Sequence, residues 1–123
     1  MTAYVIDACA AVKWAFEEKY GSEALKFMGE RLSLTAPDLI LYECSSVVQK
    51  KVWLGEMNEE TAWQGYELIF QSDSIQLVDS RLLINPAYHL AVGLNHAIYD
   101  CYYLALAQKQ DAVVVTTDRK FFD

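Results

Sequence analysis

Apolar positions fall in short blocks whose period changes along the chain. Tyr4-Val5-Ile6 is an unbroken apolar run, and at Asp7 it gives way to an alanine-rich stretch with Val12 and Phe16 at helical spacing. A strand feeding a helix is predicted. Ser22 is placed to cap a helix carrying Leu25 and Met28, and Leu34-Thr35-Ala36 reads as a second short strand before Pro37. Between Asp38 and Trp53, the positions Leu39, Ile40, Val47 and Val48 fit one helical face, with Gly55 placed to end the helix in a left-handed conformation. Asn58 is read as the cap of a helix reaching about Gln71, followed by a strand over Ile75 to Val78. Asn85-Pro86 opens a helix that ends near Asn95-His96, since proline suits a first turn and asparagine a left-handed terminus. The last third predicts an Ala/Leu-rich helix from Tyr99 to Gln110, a β-branched strand from Ala112 to Thr116, and one helical turn from Arg119 to Phe122.

Strands alternating with helices imply an α/β fold, with a short parallel sheet between two helical layers. The 123 residues fit one domain, and 54% hydrophobic against 22% charged residues is a composition that folds. No repeat or Pro/Gly/Ser linker divides the chain. There is no basic and apolar leader and no long uncharged span, so no membrane is expected, and a cytoplasmic location is. Cys9, Cys44 and Cys101 are odd in number and lack C-x-x-C spacing, which suits a reducing compartment and three small buried side chains. Three thiols on separate helices without paired spacing are a poor zinc site.

Charge changes the picture more. Ten Lys and Arg stand against 17 Asp and Glu, a net −7 that gives no broad attraction for nucleic acid. Four of those acids sit where the predicted topology could gather them. Asp7 ends the first strand, Asp118 lies just past the last, Asp100 is in the first turn of the preceding helix, and Glu43 is early in the helix after the second strand. In open parallel sheets, ligands bind beyond the carboxyl ends of the strands. Each acid also has a plain reading as a helix cap or a solvated surface charge. A crowded carboxylate set would repel itself unless a cation compensated it, and Mg²⁺ or Mn²⁺ prefers such oxygen ligands while leaving positions open for phosphate. Setting these four acids aside leaves 13 against 10, or −3, so a nucleic acid would be held locally.

The runs Val5-Ile6-Asp7-Ala8 with Val12-Lys13-Trp14, Ala36-Pro37-Asp38 leading to Tyr42-Glu43, Tyr99-Asp100-Cys101-Tyr102-Tyr103-Leu104-Ala105-Leu106-Ala107, and Val115-Thr116-Thr117-Asp118 together resemble the PIN-domain ribonucleases. The nearest resemblance is to VapC-type toxins of prokaryotic toxin–antitoxin pairs, and it spans nearly the whole chain in order. It implies a three-layer α/β/α fold and endonucleolytic cleavage of RNA by metal-activated water with Mg²⁺ or Mn²⁺. It further implies that Asp7 and Asp100 are the principal metal ligands, that Glu43 and Asp118 complete the acid set, and that Thr116 is the hydroxyl orienting a carboxylate or water. Lys13, Arg119 and Lys120, close in sequence to those acids, are candidate phosphate contacts. The partners implied are an RNA substrate, a cognate antitoxin and a second copy of the chain in a homodimer. His89 and His96 are read as surface and helix-terminus residues rather than general bases, and the tryptophans and tyrosines as core or interface.

Rival functions are testable on the same residues. A phosphatase with an aspartyl nucleophile at Asp7 would want an acid two positions later, where Cys9 stands. A receiver-type signalling domain would need an acidic pair at the first strand and a lysine at a late strand end, and neither is evident. A PIN-like scaffold that binds a partner without cutting is the remaining alternative.

Overall fold

Four short strands, β1 (Ala3–Ile6), β2 (Ser33–Pro37), β3 (Ile75–Val78) and β4 (Val113–Val115), form one sheet in the computed structural model. The structure describes residues 3–16, 33–71 and 73–116. Every pairing is parallel, in the order β3-β2-β1-β4. Parallel neighbours cannot be joined by tight turns, so helices fill the connections. α1 (Ala8–Phe16) follows β1, α2 (Leu39–Trp53) and α3 (Glu59–Gln71) lie between β2 and β3, and α4 (Ile84–Leu94) and α5 (Ile98–Gln110) lead to β4.

The strand order accounts for the layers. The chain steps outward from β1 to β2 to β3, then returns to the far side of β1 for β4. Right-handed crossovers put the helices of outward steps on one face and those of the return on the other. The packing divides in that way: α1, α2 and α3 pack on one another, whereas α4 packs on α5, which lies against β1, β2 and β4. The expected three-layer α/β/α architecture is the one observed.

β1 sits inside the sheet, and Val5 and Ile6 are fully buried. Against it, the small residues Ala8, Ala10 and Ala11 let α1 approach α2 closely, with the Cys44 thiol 3.9 Å from the Ala8 carbonyl oxygen. α2 buries Ile40, Cys44 and Val48, a stripe at i, i+4 and i+8. The expected face of Leu39, Ile40, Val47 and Val48 is thus half right: Leu39 and Val47 each precede a buried position, turned about 100° away from it, and are half-buried. At the end of α1, the Phe16 ring fills the space over Gly65 of α3, where a Cβ would fall 2.0 Å from a ring carbon.

Local signals set most boundaries. Asn58 accepts the Thr61 amide at 2.8 Å as the cap of α3. Gly55 and Asn95 adopt φ of 73° and 52°, ending α2 and α4 in the left-handed region as predicted. The predicted strand over Ala112 to Thr116 is one residue shorter at each end, because Asp111 takes φ 51° to stop α5 and Ala112 then bonds back to the Ala107 carbonyl. A 3₁₀ turn over Ser80–Leu83 is absent from the sequence reading. It is held across the sheet edge, where the Ser80 hydroxyl accepts the Leu39 amide at 2.9 Å and the Asp38 carboxylate accepts the Ser80 amide at 3.0 Å. The helix predicted after Ser22 and the turn predicted over Arg119 to Phe122 lie outside the described residues.

Candidate active site

Beside β1 the strand order reverses: β2 lies on one side and β4, reached last, on the other. Chains leaving the carboxyl ends of two such strands diverge and open a crevice. Asp7 is the first residue past β1. Its amide donates to the Val115 carbonyl at 3.1 Å, its Oδ1 accepts the Ala10 amide at 2.9 Å, and its Oδ2 accepts the hydroxyl of Thr116, just past β4. The carboxylate is buried. The cap reading and the ligand reading of Asp7 are therefore not exclusive, since two oxygens carry about four acceptor positions and the cap uses one.

The crevice is a cavity of about 210 Å³ lined by Asp7, Glu43, Asp100 and Tyr103, with Cys9 and Val47 at its side. Glu43 comes from the second turn of α2 and Asp100 from the first turn of α5. Burial pushes the Glu43 carboxyl above the usual carboxylate range, the charges of Asp100 and Asp7 push the same way, and a hydrogen bond from Tyr103 opposes them. The Tyr103 hydroxyl donates to Glu43 Oε1 at 2.6 Å, and its own pKa is driven far up by burial and by that neighbouring charge. His96 Nε2 lies 2.9 Å from Asp100 Oδ2.

Three of the four predicted acids thus line one cavity, while Asp118, Arg119 and Lys120 lie outside the described residues. Thr116 bonds to Asp7, and Lys13 lies on the exposed side of α1. One expectation is corrected: Cys9 is exposed rather than buried, because it follows the cap on the face of α1 turned to the crevice. His96 stands at the end of α4 as expected, directly after Asn95 and with its amide donating to the Ala91 carbonyl at 3.1 Å, and it turns its ring to Asp100 on the next helix.

The contacts of Tyr103 with Glu43 and of His96 with Asp100 are the two that sequence reasoning does not contain, since it places the tyrosines in core or interface and His96 at a helix end. Tyr103 stands three positions after Asp100 on one helix, hence on the same face, and a buried tyrosine hydroxyl needs a polar partner. Removing that donor isolates its effect. In Tyr103→Phe the Glu43 carboxyl should titrate still higher than in the parent chain, as followed by carboxyl-carbon NMR. Stability with Glu43 ionised should fall by about 1–2 kcal/mol in urea melts. An unchanged Glu43 titration would show that the bond is not formed.

The oxygens available are hard donors, and the burial and neighbouring negative charge that raise Glu43 are what a cation would offset. Among the described residues no three His, Cys, Asp or Glu side chains are gathered tightly enough to enclose an ion. Mg²⁺ does not require such a cage, since one or two carboxylates with water and phosphate oxygens suffice. Thiolate ligation is disfavoured, because burial raises the Cys44 and Cys101 thiols above their ordinary range.

The sequence profile of the PIN domain matches residues 4–123. Ribonuclease VapC3 of Pyrobaculum aerophilum is 26% identical over 117 residues, covering 94% of this chain and 89% of that protein. The crystal structure of PAE2754 from Pyrobaculum aerophilum shares the fold with a TM-score of 0.78 at 23% identity, over 97% of this chain and 76% of that one. A profile match over all but the first three residues agrees with the sheet order and the acid cavity at its reversal point: the chain belongs to the PIN domain family.

Proposed function

We propose that the chain is a metal-dependent endoribonuclease, the toxin of a type II toxin–antitoxin pair. The observation that carries this reading is the single cavity lined by Asp7, Glu43 and Asp100, in which burial and the two neighbouring carboxylates raise the cost of ionising Glu43. The similarity to a protein named as a ribonuclease supports the substrate class. Asp7, Glu43 and Asp100, with Asp118 as the fourth acid, would hold Mg²⁺ or Mn²⁺. A divalent ion there supplies positive charge that eases deprotonation of an attacking water and neutralises the scissile phosphate.

The chain's own residues hold this arrangement in place. The Ala10 amide and the Thr116 hydroxyl fix the plane of the Asp7 carboxylate, Tyr103 fixes Glu43, and His96 fixes Asp100. Such orientation sets where the remaining lone pairs point. Tyr103 does not serve as an acid, because its proton is held too tightly beside Glu43. No side chain is needed as a nucleophile.

Two apolar surfaces suit the protein partners of this reading. A cavity of about 330 Å³ between α2 and α3, lined by Val48, Val52, Trp53, Ala62 and Trp63, would accept the apolar face of an antitoxin helix. Ile84, Tyr88 and Val92 are exposed at i, i+4 and i+8 along α4 and would serve a homodimer. No helix among the described residues is long and apolar enough to cross a membrane.

The test is cleavage of structured RNAs by the purified chain with Mg²⁺, with Mn²⁺ and with chelator, beside an Asp100→Asn control. Cleavage that needs metal and is lost in the control is the expected result. Cleavage surviving the substitution would remove Asp100 from the site, and no cleavage by the parent chain under any condition would favour a non-cutting scaffold.

A further inference from the structure

The acid cavity does not end at the acids. A second cavity, about 230 Å³, adjoins it and shares Cys9 and Val47 as walls; its other lining residues are Val12, Lys13, Phe16 and Lys51. The two chain segments that frame it share one order of residues, though not one spacing. On α2, Glu43, Val47 and Lys51 stand at i, i+4 and i+8: an acid in the first cavity, a shared wall, a cation in the second. On the neighbouring chain segment Asp7, Cys9 and Lys13 follow the same sequence from acid to shared wall to cation. Eight residues of helix span about 12 Å, so Lys51 lies close enough to Glu43 to meet a phosphate near the one held at the acids. Lys51 is set over the Phe16 ring, its ammonium 5.9 Å from the ring centroid, and that ring is in turn seated on Gly65. The position of this cation is therefore built by packing from α1 and α3.

We propose that this trough between α1 and α2 is a phosphodiester-binding subsite, in which Lys51, with Lys13, holds RNA phosphates flanking the scissile bond. The inference rests on the ribonuclease reading and specifies how that site takes its substrate. A chain of net charge −7 repels a polyanion at long range. Its acids can act on one phosphate only if neighbouring phosphates are neutralised close by, and the trough places two ammonium groups at the near end of the strand's path. Lysines contact phosphate without reading bases, so the subsite sets register and not sequence preference.

Two measurements test it. The first is binding of a labelled single-stranded RNA oligonucleotide to the Asp100→Asn chain in Mg²⁺, at several salt concentrations. Each phosphate contact contributes a slope of about −0.7 in log K against log salt. Lys51→Met keeps the aliphatic stem over Phe16 and should flatten the slope by about 0.7, Lys13→Met should do the same, and Lys51→Arg should restore it. The second is steady-state cleavage in the otherwise unaltered chain, where Lys51→Met should raise KM roughly tenfold, with the loss falling on KM rather than kcat. Salt slopes unchanged in both Met variants overturn the subsite, as does a parallel fall of melting temperature and kcat with KM retained. If the parent chain cuts nothing yet the Asp100→Asn chain binds RNA with a lysine-dependent slope, the ribonuclease reading fails and the subsite stands. Absence of RNA binding sinks both.

Discussion

Asp7→Asn should abolish RNA cleavage and leave the fold in place. The loss of activity should exceed the roughly 10–100-fold that removing an outer-shell partner costs, because the substitution removes the charge of the carboxylate nearest the sheet while keeping its shape. The folding half of the statement follows from the local bonds. Asp7 Oδ1 caps α1 through the Ala10 amide, and asparagine is as good an N-cap as aspartate, whereas Asp7→Ala would sacrifice about 1 kcal/mol of capping. On the other side, the new amide group can donate to the Thr116 hydroxyl, which accepts as readily as it donates. Circular dichroism and thermal melts of the variant should therefore match the parent chain while cleavage is absent at saturating metal. Full activity under those conditions would remove Asp7 from the chemistry, and an unfolded variant would show that the buried charge is structural first.

That double duty explains why the sequence carried the site only in part. Strand ends followed by capping acids are visible as patterns: Val5-Ile6-Asp7 with the alanines after it announces both β1 and the start of α1, and Asn58, Gly55 and Asn95 mark their helix ends by their own backbone chemistry. These signals are local. What stayed hidden depends on partners distant in sequence. The Ser80–Leu83 turn forms because the Ser80 amide donates to the Asp38 carboxylate, 42 residues away, while the Ser80 hydroxyl accepts the Leu39 amide. Tyr103 finds Glu43 across 60 residues, and no spacing rule announces such a pair. His96 is partly legible: Asn95 marks the helix end at which His96 stands, but the contact of its ring with Asp100 on the next helix carries no signal of its own in the sequence. Residue type alone places Cys9 in the core, but its place on α1 is set by Asp7 two residues earlier, which turns it to the crevice.

Glu43→Gln should make the metal-free chain more stable at neutral pH while removing cleavage. The folded-state pKa of Glu43 is raised above its ordinary 4.5, first by burial and then by the charges of Asp100 and Asp7. Between 4.5 and that higher value the folded chain holds a proton that the unfolded chain has released, so stability falls as pH rises through this window. Below 4.5, glutamic acid and glutamine are both neutral in either state, and the variant should melt with the parent. Above the window the parent carries the whole penalty and the variant none, since a glutamine oxygen still accepts the Tyr103 hydroxyl. The difference in stability, read from urea melts in chelator across pH, should thus grow from near zero in acid to a plateau favouring the variant. Added Mg²⁺ should narrow the gap, because an ion bound only by the folded parent stabilises it in proportion to the logarithm of its excess over Kd, and the variant lacks the charge to follow. A gap that is flat with pH would mean that Glu43 does not feel its neighbours. A gap untouched by Mg²⁺ would mean that the repulsion in the cavity is real but no divalent ion is what relieves it.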